Sequence, residues 1–115
     1  NTYTGTTTVN AGTLRLQSAN ALVGGNAVAF GAGSTGVLQL AGFARTVGTL
    51  STNATPGTPV VENASGTAAT LTVGGAADAT FAGVIRDGAG GGGLSLVRSP
   101  AGGTLPQAGT AANTY

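Results

Sequence analysis

The chain contains no cysteine, histidine, lysine, methionine or tryptophan. Without cysteine there is no disulfide and no thiolate site. With histidine also missing, the usual transition-metal ligands are gone. A Ser-His-Asp arrangement is impossible within the chain. A phosphate-binding loop needs Gly-Lys followed by Ser or Thr, and there is no lysine to supply it. Charge is scarce: Asp, Glu, Lys and Arg make up 6% of residues, against about 25% in ordinary domains. Such a low value argues against a typical solvated monomer and equally against charge-driven disorder. The four arginines, Arg15, Arg45, Arg86 and Arg98, are scattered singly and set a net charge of +1 against three acids. They form no basic patch with interleaved aromatics, which excludes a nucleic-acid partner. Aromatics are only 4%. Tyr3, Phe30, Phe43 and Phe81 are too scattered for a sugar-binding platform and are expected to cap or fill the core. No apolar run approaches the roughly 18 residues of a membrane helix, so no membrane insertion of this segment is expected. No signal-peptide pattern is present, and the chain begins in mid-pattern, as mature protein or an excised segment would.

What is abundant is small. The 115 residues include 22 Gly, 21 Ala and 19 Thr. The hydrophobic fraction is 41% and the mean hydropathy +0.27, enough for a core. Most of that fraction is Ala and Val, which favours many thin layers over one wide globular interior. The opening stretch NTYTGTTTVNAGTLRLQ sets the pattern. Two runs, Thr6–Val9 and Thr13–Gln17, flank the turn Asn10-Ala11-Gly12. Leu14 and Leu16 alternate with Thr13, Arg15 and Gln17, the period-2 mark of a strand with one buried face. Asn and Gly supply the backbone freedom the corner needs.

Similar apolar beads follow: Val28/Phe30, Leu38/Leu40, Val47/Leu50, Val60/Val61, Leu71/Val73, Phe81 with Val84/Ile85, Leu94/Leu96 and Leu105. Turn signals separate nearly all of them, among them Gly33-Ser34, Pro56-Gly57, Gly74-Gly75, Asp87-Gly88 and Gly102-Gly103. A helical period fails throughout, and Gly, Thr and Val oppose helix in any case. Short regular strands admit a sandwich, an up-and-down barrel or a solenoid. Sandwiches usually need larger core residues, whereas small side chains suit a solenoid whose coils stack about 4.8 Å apart. Coils of roughly 20 to 30 residues would give four or five rungs. The expected fold is therefore all-β, a parallel β-helix. Leu14, Leu16, Val28, Phe30, Leu38, Leu40, Leu71, Val73, Leu94 and Leu96 should face inward, and Arg15, Gln39, Thr72 and Ser95 outward.

The opening stretch also resembles a known family. Asn1, Thr2, Tyr3, Thr4, Gly5, Thr6, Thr7, Val9, Asn10, Ala11, Gly12, Thr13, Leu14 and Leu16 match the autotransporter-associated β-strand repeat, or passenger-associated transport repeat, of bacterial surface proteins. Segments GVLQLAGFARTVGTL, VVENASGTAATLTVGG and FAGVIRDGAGGGGLSLV look like its successive strands, and LSLVRSPAGGTLPQAG resembles the element before the next NTYTG. The resemblance implies a secreted, right-handed parallel β-helix on the cell surface or outside the cell. It carries no catalytic residues. The pattern departs at Pro100 and Pro106, which predicts interrupted pairing around Leu105. Asn1-Thr2-Tyr3 recurs as Asn113-Thr114-Tyr115, 112 residues later. Residues 1–115 thus read as one solenoid segment, one period of a longer array.

The candidate sites are few. Glu62, Asp78 and Asp87 are the only carboxylates. A pair of them could act as in glycosidases or lyases, but Asp78 and Asp87 sit at ordinary turn positions. Glu62 reads as a solvated or corner residue. Asp87 followed by the glycine-rich run 88–93 invites a calcium reading. The calcium pattern, however, places Asp after the glycines and repeats, so a flexible turn is expected. Asn10, Asn20, Asn26, Asn53 and Asn63 could stack as an internal ladder or serve as separate turn residues. Asn63-Ala64-Ser65 fits the N-glycosylation acceptor pattern. No catalytic, cofactor or metal residue is expected, and no enzyme activity. The expected role is a stiff extracellular stalk segment, with neighbouring repeats or copies of itself as partners end to end. The alternatives are a filament subunit and an adhesin or carbohydrate-binding module; no host or carbohydrate ligand can be named from the sequence.

Overall fold

Gly12 takes a left-handed backbone (φ 73°), which a residue with a side chain adopts only with strain. The chain turns there, and two strands meet at a corner: β1 (Thr7–Val9) before it and β2 (Thr13–Leu16) after it. The computed structural model describes residues 2–18, 21–22, 26–74 and 79–98. Among them the same device repeats, giving β3 (Val28–Phe30), β4 (Val37–Leu40), β5 (Arg45–Val47), β6 (Leu50–Thr52), β7 (Val60–Asn63), β8 (Ala69–Val73), β9 (Val84–Arg86) and β10 (Leu94–Arg98). No helix is present among the described residues.

Every strand pair is parallel. The strands form three sheets: β1-β3-β6, β2-β4-β7-β9 and β10-β8-β5. From β3 to β8 the chain visits the first, second and third sheet in order, twice over, so the fold is a three-faced parallel β-solenoid. Paired residues lie 21 to 26 positions apart, from Thr7 with Val28 to Arg45 with Leu71. The described residues make about three turns, fewer than the four or five rungs expected of the whole chain. Leu105, Pro100 and Pro106, where interrupted pairing was expected, lie outside the described residues.

Stacking in register turns alternation along each strand into columns along the axis. In the second sheet Leu38, Val61 and Ile85 form one inward column and are all 0% exposed. Leu16 and Leu40 begin a second. In the third sheet Val47 and Val73 pair inside. Burial of such a side chain is worth about 1.5–3 kcal/mol. Phe30 and Phe81 are both buried, with ring centroids 5.6 Å apart. Of the ten residues expected inside, eight are buried. Leu14 and Leu96 are half-buried and pack against the core from its two outermost turns. Arg15 and Ser95 are exposed; Gln39 and Thr72, on inner turns, are partly covered by their neighbours.

Candidate functional site

The outward face of the second sheet carries the richest polar chemistry. Arg15, Gln39, Glu62 and Arg86 occupy the same register position on β2, β4, β7 and β9. Their spacing of 24, 23 and 24 residues follows the turn length. Gln39 Nε2 donates to Glu62 Oε1 at 2.9 Å. Arg86 Nε donates to Glu62 Oε2 at 2.6 Å. Both carboxylate oxygens of Glu62 are therefore engaged across successive turns. Its side chain is only 12% exposed, against 47% for Arg86. Burial by itself would raise the Glu62 carboxyl. The hydrogen bond from Gln39 and the bond and charge of Arg86 outweigh it, and the pKa falls below the ordinary value of 4.5. Glu62 is thus neither a solvated residue nor a corner: it lies within β7, held from both sides. Beside this column runs an apolar one, Val37, Val60 and Val84, half-buried on the same face.

The corner after this sheet is built around Asn63, which is 0% exposed. Its Oδ1 accepts from the Gly42 and Ser65 amides at 3.1 and 3.2 Å. Its Nδ2 donates to the Thr67 carbonyl at 2.8 Å and to those of Gly92 and Gly93 at 3.2 Å each. One amide side chain ties together the corners of three successive turns. With its side chain committed in this way, the Asn63 acceptor pattern has no exposed amide to modify. One turn on, Asp87 does similar work: its Oδ1 accepts from the Leu94 amide at 2.9 Å.

The glycine-rich loop between Asp87 and Leu94 lies flat on the corner below, not as a free flexible turn. Gly88 has φ +83°, and a Cβ there would run into the Asn63 carbonyl. Across this loop the Gly92 amide donates to Ser65 O at 2.9 Å. The asparagines divide among corners. Asn10 and Asn53 share one, but Gly31 lies between them. Asn26 sits at another corner, where its Nδ2 donates to Tyr3 O. The four described asparagines are separate turn residues, not a ladder; Asn20 lies outside the described residues. So does Asp78, which leaves Glu62 and Asp87 as the carboxylates described. Among the described residues no three His, Cys, Asp or Glu gather to hold a metal.

Two features escaped the sequence reading. Arg45, in register with buried Leu71, occupies an inward position. Its Nε and Nη2 are buried without a partner among the described residues, and its guanidinium stacks 4.9 Å from the centroid of the Phe43 ring. Phe43 itself, like Tyr3, is exposed and does not fill the core. A cation–π pair of this kind leaves little sequence signal beyond the Phe-x-Arg spacing. The axial ladder at Glu62 would have needed the exact turn length before its members could be aligned. Comparison with family models, with curated proteins and with solved structures finds no match in any of the three.

Proposed function

We propose that this chain is a structural β-solenoid segment of a secreted bacterial surface protein, a stiff extracellular stalk of the autotransporter-passenger kind. The observation that carries the reading is the stacking itself. The inward residues of each turn continue columns that run into the next, and the polar ladder and the Asn63 corner run along the same axis. Such a unit transmits length and stiffness and can form turn by turn, each edge templating the next. The resemblance of Asn1 to Leu16 to the passenger-associated repeat supports export as the context. The test fuses the chain between a signal peptide and an outer-membrane β-barrel translocator. Intact cells are then treated with external protease. The parent should be exposed on the surface, and Leu38→Asp, which disrupts stacking, should be displayed far less. Equal display of the two would remove the link between coil folding and export.

A second reading is favoured by one specific feature, the recurrence of Asn-Thr-Tyr 112 residues apart. In it, copies of the unit stack end to end, in one long chain or as separate subunits of a filament.

A further inference from the structure

Where β9 leaves the second sheet, an open cleft of about 500 Å³ is lined by Glu62, Arg86, Asp87, Gly88 and Ala89. That size falls in the range of about 300–1,000 Å³ of small-molecule sites. Its polar atoms are unequally committed. Glu62 spends both oxygens on Gln39 and Arg86. Among the described residues Arg86 spends only Nε, so its two Nη groups keep their donors there, in the fixed planar fork of a guanidinium. Asp87 spends Oδ1 on the Leu94 amide and keeps Oδ2 as an acceptor. Gly88 and Ala89 add no bulk that would close the cleft.

Charge decides which ligand suits these atoms. Two carboxylates face one guanidinium, so a free anion meets net repulsion. A cation meets Arg86 and one uncommitted carboxylate oxygen, where calcium takes 6–8 oxygen ligands. A neutral group that both donates and accepts can use both kinds of atom: one hydroxyl would accept from the Arg86 Nη fork and its neighbour donate to Asp87 Oδ2. We propose that Arg86 and Asp87 form a subsite for a neutral vicinal diol, the recognition unit of a sugar ring in a surface glycan. The site does not depend on the stalk reading. No aromatic is among the described residues that line the cleft, so stacking adds nothing there and the affinity of a single ring is weak, on the order of millimolar.

The test is an amide and arginine side-chain NMR titration of the full chain. The probes are methyl α-D-mannopyranoside and methyl β-D-glucopyranoside, with sodium sulfate, sodium acetate and calcium chloride as controls. Expected are saturable shifts from at least one glycoside at Arg86 Nε–H and at the amides of Asp87, Gly88 and Ala89. Asp87→Asn keeps an Oδ1 acceptor for Leu94 but turns the free acceptor into a donor. Arg86→Lys keeps the charge at an exposed position but loses the fork. Each should weaken binding several-fold while the amides of β1, β3, β5 and β6, away from the Glu62 column, stay as in the parent. The proposal is overturned by the absence of saturable shifts with both glycosides, or by shifts located elsewhere. It is equally overturned if sulfate, acetate or calcium alone produces the same shifts, or if both variants bind as the parent does.

Discussion

Asn63 shows how much one residue can carry in a fold made of small side chains. It stands in an inward column above Leu40, yet it is polar, because the corner beneath and above it leaves backbone groups without partners. Removing the side chain takes the partner from the Gly42 and Ser65 amides and from the Thr67 and Gly92 carbonyls, while the Gly93 carbonyl keeps the Ala69 amide. Each buried unsatisfied group costs about 1–3 kcal/mol. Asn63→Ala should therefore cost at least about 3 kcal/mol, read as a lowered denaturation midpoint. Asn63→Leu should be no better although it extends the column of Leu16 and Leu40; a midpoint equal to the parent's would mean that water reaches these groups. Glu62 gives a second prediction. Its folded pKa is depressed, so it contributes stability that is present above the unfolded value near 4.5 and lost as pH falls through the lower folded value. Melting temperature should drop over that acid window in the parent and less in Glu62→Gln. Parallel pH profiles for the two would show that Gln39 and Arg86 do not stabilise the ionised form.

At the level of strands, alternation alone placed the core. Leu38 and Leu40 read as inward from their spacing, and both are 0% exposed. Leu38→Asp should abolish folding, because it buries an unpaired charge between Leu14 and Val61. Gln39→Asp, one residue away on the outward face, should leave a folded chain. Circular dichroism that failed to separate these two variants would mean that the face assignment is wrong. What alternation could not supply was the register between turns. Turn length varies from 21 to 26 residues, and the corners absorb the difference. Without that offset, Glu62 and Arg86 are two isolated charges 24 positions apart, and Asn63 is one more turn asparagine. The loop after Asp87 was illegible for a related reason. Its composition signals freedom, but Gly88, Gly90 and Gly92 are needed because their backbone lies on the corner below. Gly88→Ala should cost about 1–3 kcal/mol, from a positive φ and from the Asn63 carbonyl in the path of the new Cβ. An unchanged melting temperature would mean that the loop stands off the corner. Arg45 obeys alternation and breaks polarity: it sits inward beside Leu71 at the start of a three-residue strand, where Phe43 covers it.

For the whole molecule, each turn touches mainly its neighbours, so stability is close to a sum of turn and interface contributions. Strands β4 and β7 are paired on both sides in the second sheet, whereas β2 and β9 form its edges among the described residues. In the 115-residue chain, amide hydrogen exchange should be slowest in Leu38–Leu40 and Val61–Asn63 and faster in β2 and β9. A net charge of +1 offers little repulsion between copies. The Asn-Thr-Tyr recurrence sets how two copies would be joined: a tandem chain in which residue 113 of the first serves as residue 1 of the second. If the turns continue across that joint, one new turn-to-turn interface forms where two edges stood. The tandem should then melt in a single transition above that of the single copy, and β2 of the second copy should become as protected as β4. Two independent transitions at the single-copy temperature, with β2 equally fast in both copies, would show that the units are strung together without stacking. End-to-end assembly would then be lost as a reading, while the stalk and the sugar subsite would stand on their own tests.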